Sequence, residues 1–217
     1  NYCELNPLLT GSIKKLWGTS SSDIYAVGEL GNIAHWDGVS WKKIESGTDL
    51  DIFSITGSGN INSSQNIVGI AGSWQTGVSV IIQIDPKQLK VVQKTDKPFL
   101  LESGTIIKNR KYYFGGAGIF TSYNINSEFK LLEGHPNYFT HSIFAKDYND
   151  VYGSRSFGVI SHYNGYTWYH RTQYSINGMM PRYSIIRSYG DNVVAAGQVS
   201  NPNGININAA ITIGKRN

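Results

Sequence analysis

Apolar residues fall along this chain in short runs, each closed by Gly, Ser, Asn or Asp. Near the start, IKKLWG (13–18) is followed by DIYAVG (23–28), GNIAHW (31–36) and WKKIES (41–46). Between them stand TSSS, EL and DGVS, which are rich in turn-forming residues. The second run alternates only loosely, as a strand does when both faces of its sheet are partly covered. No segment keeps an apolar 3.6-residue period long enough for a helix. The pattern therefore predicts an all-β chain of four-stranded units, with strands a, b, c and d in order.

The unit repeats. Sliding the chain along itself by 127 residues places Asp23 on Asp150, Tyr25 on Tyr152, Gly31 on Gly158, His35 on His162, Gly38 on Gly165 and Trp41 on Trp168, without a gap. Three units of about 42 residues, the length of a four-stranded propeller blade, give that offset. Intermediate units read more faintly in NIVGIAGS (66–73) with VIIQIDPKQLKVVQ (80–93), and in GTIIKNRKYYFGGAGIFTSYN (104–124) with EFKLLEG (128–134). A fifth, YSIIRSYGDNVVAAGQV (183–199), puts Gly197 on Gly28. The expected architecture is a single five-bladed β-propeller over 1–217, with blades at 13–51, 52–97, 98–139, 140–181 and 182–217 plus 1–12. The last assignment rests on YCELNPLLTGSI, which matches WKKIESGTDLDI with Tyr2 on Trp41 and Leu5 on Ile44. The N-terminal segment thus supplies the last blade's strand d and closes the ring, which limits exposed sheet edges.

The first unit, LWGTSSSDIYAVGELGNIAHWDGVSWKKIESGT, resembles the repeat of bacterial secreted or surface β-propellers. That repeat reads W-G-x-S-x-x-D-[IV]-[WY]-A-V-G, then G-x-I-x-H-W-[DN]-G-x-x-W, and is labelled by analogy with sialidase-type or photosystem-assembly-type propellers. The first blade matches along its length and the fourth from b to d. The resemblance implies an exported propeller of an environmental bacterium. It implies no activity, because fold does not fix function.

Composition narrows the classes. Hydrophobic residues make up 40% of the 217 and charged residues 16%, enough for a packed core and too little charge for disorder. The 19 basic residues against 15 acidic give +4, and they are scattered. Only KNRKYY (108–113) joins basic and aromatic residues, and it reads as a charged turn entering a strand, so no nucleic-acid partner is expected. No apolar run reaches about 18 residues, so no membrane insertion is expected. NYCELNPLL lacks a signal-peptide layout. The expected location is secreted or cell-surface, as a mature chain after signal removal, with the cytoplasm as the alternative. The one cysteine, Cys3, excludes an intrachain disulfide and a cysteine zinc cluster, and reads as a structural thiol on a strand.

The repeated motif lies in a–b and c–d turns, on the face of a propeller that less often binds. Asp23 and Asp150 read as turn residues bonding nearby backbone. Asp37-Gly38 and Asn164-Gly165 read as hairpin turns needing positive φ, and Trp41 and Trp168 as packing between blades. His35 and His162 sit in different sectors of the ring and cannot share an ion, so no metal and no cofactor are expected. Arg155, Arg182 and Arg187 could serve a sialidase by number alone, but the S-x-D-x-G-x-x-W pattern is not met in HWDGVSW. The inner strands, read as IKKLW, FSITG, TIIKN, SIFAK and YSIIR, hold no Asp or Glu, whereas glycosidases need two carboxylates flanking the scissile bond. FGGAGIF lacks the Lys and helix of a phosphate loop.

Chemistry that differs among blades falls in the b–c and d–a connections: SWQTG (73–77), SRSFG (154–158), QVSNPNGIN (198–206), GTDLD (47–51), GHPNYF (134–139) and INGMMPR (176–182). The candidate binding residues there are Trp74, Tyr138, Arg155, Phe157 and Arg182, aromatics beside cations that suit a sugar or a protein hot spot. The expected function is a non-enzymatic interaction module presenting one rigid face to a protein or glycan partner, of unassigned oligomeric state. The alternative is a glycoside hydrolase or lyase with its site in the central pocket.

Overall fold

The computed structural model describes residues 8–58, 66–107, 111–132, 134, 138–172, 175, 179–199 and 208–215. Blade one holds β1 (Ile13–Ser20), β2 (Asp23–Gly28), β3 (Ile33–Trp36) and β4 (Trp41–Lys43). Blade two holds β5 (Asp51–Ser58), β6 (Asn66–Ser73), β7 (Val78–Asp85) and β8 (Lys90–Lys97). Blade three holds β9 (Leu101–Ile107), β10 (Lys111–Gly116), β11 (Ile119–Ser122) and β12 (Lys130–Leu131). Blade four holds β13 (Thr140–Asp147), β14 (Asp150–Arg155), β15 (Val159–Tyr163) and β16 (Trp168–Thr172). In blade five, β17 (Pro181–Tyr189), β18 (Asn192–Val199) and β19 (Asn208–Lys215) are the strands among the described residues.

Each sheet is an antiparallel meander in chain order, and the five stand in a ring as a five-bladed β-propeller. Residues 1–7, with Cys3 and the closing strand expected there, lie outside the described residues, as do Lys108, Asn109 and Arg110.

Four apolar clusters fill the junctions between consecutive blades. Tyr25, Ile33, Ile55 and Ile82 join blades one and two. Ile70, Ile81, Phe114 and Phe120 join two and three. Tyr113, Ile119, Ile143 and Trp168 join three and four, and Tyr152, Tyr183, Ile186 and Ala195 join four and five. This is the packing that loose alternation in strand b foretells: with sheets stacked, both faces of β2, β6 and β14 are buried.

The inner strands enclose a cavity of about 270 Å³, lined by Lys15–Trp17 of β1, Ile55–Gly57 of β5, Gly104–Ile106 of β9, Ile143–Ala145 of β13 and Arg187 of β17. No Asp or Glu is among its lining residues. The inner strands as a whole are not free of carboxylates, however. Asp51 opens β5, Glu102 lies in β9 and Asp147 closes β13. Reading the strands from their apolar centres cut off the ends that carry them.

A single feature recurs in all five inner strands. The pairing of strand a with strand b skips one residue near its start, at Lys14, Phe53, Glu102, His141 and Ser184. Such a bulge re-aims a side chain. Opposite it, strand b carries Gly28, Gly116 and Gly197 in three blades and Ala71 in blade two, and a Cβ on Gly28 would lie 2.2 Å from the Ser12 carbonyl oxygen. In blade four that position is Arg155.

The motif residues build the frame. Asp23 does more than cap a turn: its carboxylate bonds His35 Nε2 on β3 at 2.8 Å and the Thr19 hydroxyl. Asp150 repeats this with His162 at 3.0 Å. Tyr25 and Tyr152 pack on those imidazoles, with centroids 4.5 and 4.3 Å apart. Burial, then the Asp23 charge, pushes the Tyr25 hydroxyl pKa up. In the c–d turns of blades one and four the positive φ falls on Gly38 and Gly165, not on Asp37 or Asn164. Asp37 and Asn164 instead accept backbone N–H bonds, from Val39 and Ser40 and from Tyr166 and Thr167. Trp168 packs between blades three and four as expected, whereas Trp41 lies against Trp36 of its own blade, with centroids 5.7 Å apart.

Candidate functional site

The b–c and d–a connections share one face, as the bond from the Leu30 N–H to the Asp51 carboxylate shows in blade one. The inner-strand bulges turn their side chains toward this face. Lys14 meets Glu29 of the b–c loop at 2.6 Å, and Phe53 meets Trp74 of the next b–c loop, with centroids 6.4 Å apart. A cavity of about 380 Å³ opens here, lined by Trp74, Phe139, His141, Ser156, Phe157, Met180, Pro181 and Arg182. That volume is in the range of small-ligand sites.

Trp74 is 54% exposed and Phe157 60% exposed. The Trp74 ring packs on Phe139 at 4.7 Å, and Phe139 on His141 at 5.2 Å. Tyr138 stands edge-on to Phe157 at 5.4 Å. Residues of blades two, four and five thus meet in one apolar rim with Arg182 at its edge.

Of the five candidate residues read from the sequence, Trp74, Phe157 and Arg182 line this cavity. Tyr138 flanks it against Phe157. Arg155 lies behind it with 0% exposure, donating through Nη2 to the Tyr138 carbonyl at 2.8 Å and through Nε to Thr140 Oγ1 at 3.2 Å. Burial lowers its pKa to about 10. In this place Arg155 ties the start of the b–c loop to the strand entering blade four. Parts of the expected loops, 135–137, 176–178 and 200–206, lie outside the described residues.

Sequence reasoning passed over the polar centre of the site. His141 Nδ1 lies 3.0 Å from Glu102 Oε2, and His141 Nε2 lies 3.2 Å from Ser156 Oγ. His141 is buried, while Ser156 is half-buried beside the cavity. The Ser156 N–H donates to the Phe139 carbonyl at 2.9 Å, fixing the loop. Ser156 precedes a turn in which Phe157 and Gly158 are both left-handed (φ 62° and 69°), as are Leu30 and Gly31 in blade one. The signal was present in the repeat: at the offset of 127, Lys14 falls on His141, Gly28 on Arg155 and Glu29 on Ser156. All three mismatches sit at one corner.

In the central cavity, Lys15 and Arg187 have no carboxylate among the lining residues. Burial, then the Arg187 charge, lowers the Lys15 pKa to about 8.

No family model matches the chain, and no curated protein matches it. Solved structures do. YCF48 bound to D1 peptide aligns over 88% of this chain with a TM-score of 0.64 and 13% identity. The extracellular domain of the hybrid two component system BT4673 from B. thetaiotaomicron aligns over 95%, with a TM-score of 0.65 and 14% identity. The Niastella koreensis GH74 enzyme aligns over 86%, with a TM-score of 0.62 and 15% identity. The present chain spans 64%, 28% and 33% of those three chains. At such identities the likeness is one of fold, and it covers a peptide-bound protein, an extracellular domain and an enzyme alike.

Proposed function

We propose that this propeller is an interaction module, exported to the cell surface, that docks a protein segment on its b–c and d–a face. The observation that carries the reading is the aromatic cavity built by Trp74, Phe139, Phe157 and Arg182 from three different blades. Exposed aromatics beside an arginine are the composition of a binding hot spot, and the ring of packed blades holds them in fixed relation. A propeller of the same fold that is bound to a peptide, and another that is an extracellular domain, support the protein partner and the location. A glycan is the other ligand class that such a rim suits. The central-cavity glycosidase reading is the weaker one, because the lining residues there offer no pair of carboxylates.

The test is a selection. The chain is immobilised and screened against a displayed peptide library and a glycan array, with Trp74→Ala as the control. The proposal expects a peptide family enriched on the native chain and lost on Trp74→Ala, with affinity falling by about 2 kcal/mol or more. Enrichment indifferent to Trp74 overturns the site, and glycan binding without peptide binding overturns the partner class.

A further inference from the structure

The same cavity holds an arrangement that docking does not require. A serine hydroxyl, an imidazole and a carboxylate stand in line: Ser156 Oγ, His141 Nε2 at 3.2 Å, His141 Nδ1, and Glu102 Oε2 at 3.0 Å. Each role has its residue. A hydroxyl is a weak nucleophile until a base within hydrogen-bond reach takes its proton, and that base works when a third group fixes its tautomer. Glu102, accepting from Nδ1–H, leaves Nε2 bare toward the serine. The left-handed turn at Phe157 and Gly158 sets Ser156 at the cavity rim.

The surroundings agree with this chemistry. His141 is buried beneath Phe139, which screens the base from water. Trp74, Phe139, Phe157 and Met180 give an apolar seat beside the hydroxyl, and Arg182 places a cation on the same wall. The three polar residues come from two neighbouring blades, Glu102 and His141 both from the bulges of their inner strands.

We infer that Ser156, His141 and Glu102 form a hydrolytic unit that cleaves carboxylic esters bearing an aromatic or large apolar acyl group. Ser156 Oγ bonds to the ester carbonyl carbon as its proton passes to His141 Nε2. The C–O bond to the alcohol then breaks, and His141 returns the proton to the departing alcohol. Water, deprotonated by His141, attacks the acyl-serine ester and releases the carboxylic acid, and the proton goes back to Ser156. No redox partner is needed. Glu102 is a positioning residue throughout. The inference stands apart from the docking proposal, since a partner on this face and an ester in this cavity are detected independently.

The experiment exposes the whole chain to a fluorophosphonate probe, locates the adduct by peptide mass spectrometry, and follows p-nitrophenyl benzoate hydrolysis. The expected result is one adduct, on Ser156, absent in Ser156→Ala at an unchanged melting temperature. His141→Gln slows labelling by roughly a hundredfold or more, the share a general base supplies. Glu102→Gln lowers kcat for the ester with KM unchanged, which a merely structural loss would not do. Should His141→Gln melt early, the kcat and KM split of Glu102→Gln decides. No adduct, adducts spread over several serines, or a Ser156 adduct formed equally fast in the folded histidine variant overturns the inference.

Discussion

Blades one and four share the same corner and use it differently. In blade one the bulge residue Lys14 meets Glu29 as an ion pair at 2.6 Å, exposed to solvent. In blade four the same two positions hold His141 and Ser156, 3.2 Å apart, and the bulge of the preceding blade adds Glu102. The backbone underneath is alike, with the same skipped pair in the inner strand and the same two left-handed residues in the loop. The fold asks only that the bulged side chain and the loop residue satisfy each other. An exposed ion pair does this at little energetic gain, so the chemistry there is open to change without cost to the ring.

The two histidines of the repeated frame make the contrast sharper. His35 and His162 bond Asp23 and Asp150 within the repeated frame, under the rings of Tyr25 and Tyr152. His141 bonds Glu102 beside an open cavity. The two kinds of pair differ in consequence. The largest effect is expected at the frame: Asp23→Ala leaves His35 without its carboxylate in a buried place and costs about 3 kcal/mol in urea unfolding. Equal destabilisation by Glu102→Gln would erase the distinction between frame and site.

The corner itself can be exchanged. The double variant His141→Lys with Ser156→Glu rebuilds in blade four the ion pair of blade one. The ammonium enters a buried place, whereas Lys14 is exposed, but keeps Glu102 as a second partner, so the stability is expected to fall by no more than about 2 kcal/mol, while serine labelling is abolished. A collapse of stability would mean that the blade-four corner is part of the frame after all.

The central cavity offers an effect read as a slope with pH. Folded Lys15 releases its proton at about 8, against 10.5 for a free lysine, because it is desolvated and faces Arg187. Between those values the unfolded chain binds more protons than the folded one, so this group makes stability rise with pH across the window. Lys15→Met is expected to remove that part of the slope between pH 8 and 10.5, leaving the stability below pH 8 higher than in the native chain. Melting temperatures measured in steps across the window check it.

Much of this was legible in the sequence. The ungapped return of Asp23–Trp41 at Asp150–Trp168 exposed the blade, and its multiples exposed the ring. The aromatic rim was legible as well, because Trp74 and Phe157 break the repeat in loops that strand pairing leaves free. Glu102 and His141 were not found, for a physical reason. A bulge interrupts the alternation of two, so a residue on it carries no periodic sign of where it points. Reading β9 from its apolar centre dropped Glu102, and weighing only the repeated histidines passed over His141. Arg155 was legible as a departure from glycine at the end of strand b, but its burial follows from the Tyr138 carbonyl and Thr140, which only the fold brings to it.

On the proposed reading, function resides where the blades differ, on the b–c and d–a face. An amide chemical-shift map of the labelled chain, titrated with the peptide selected in the screen, tests it directly. The expected shifts gather on 73–77, 138–141, 155–159 and 180–183. Shifts gathered instead on the a–b and c–d turns, at Ser20–Asp23, Asp37–Ser40 and Asn164–Thr167, would contradict it.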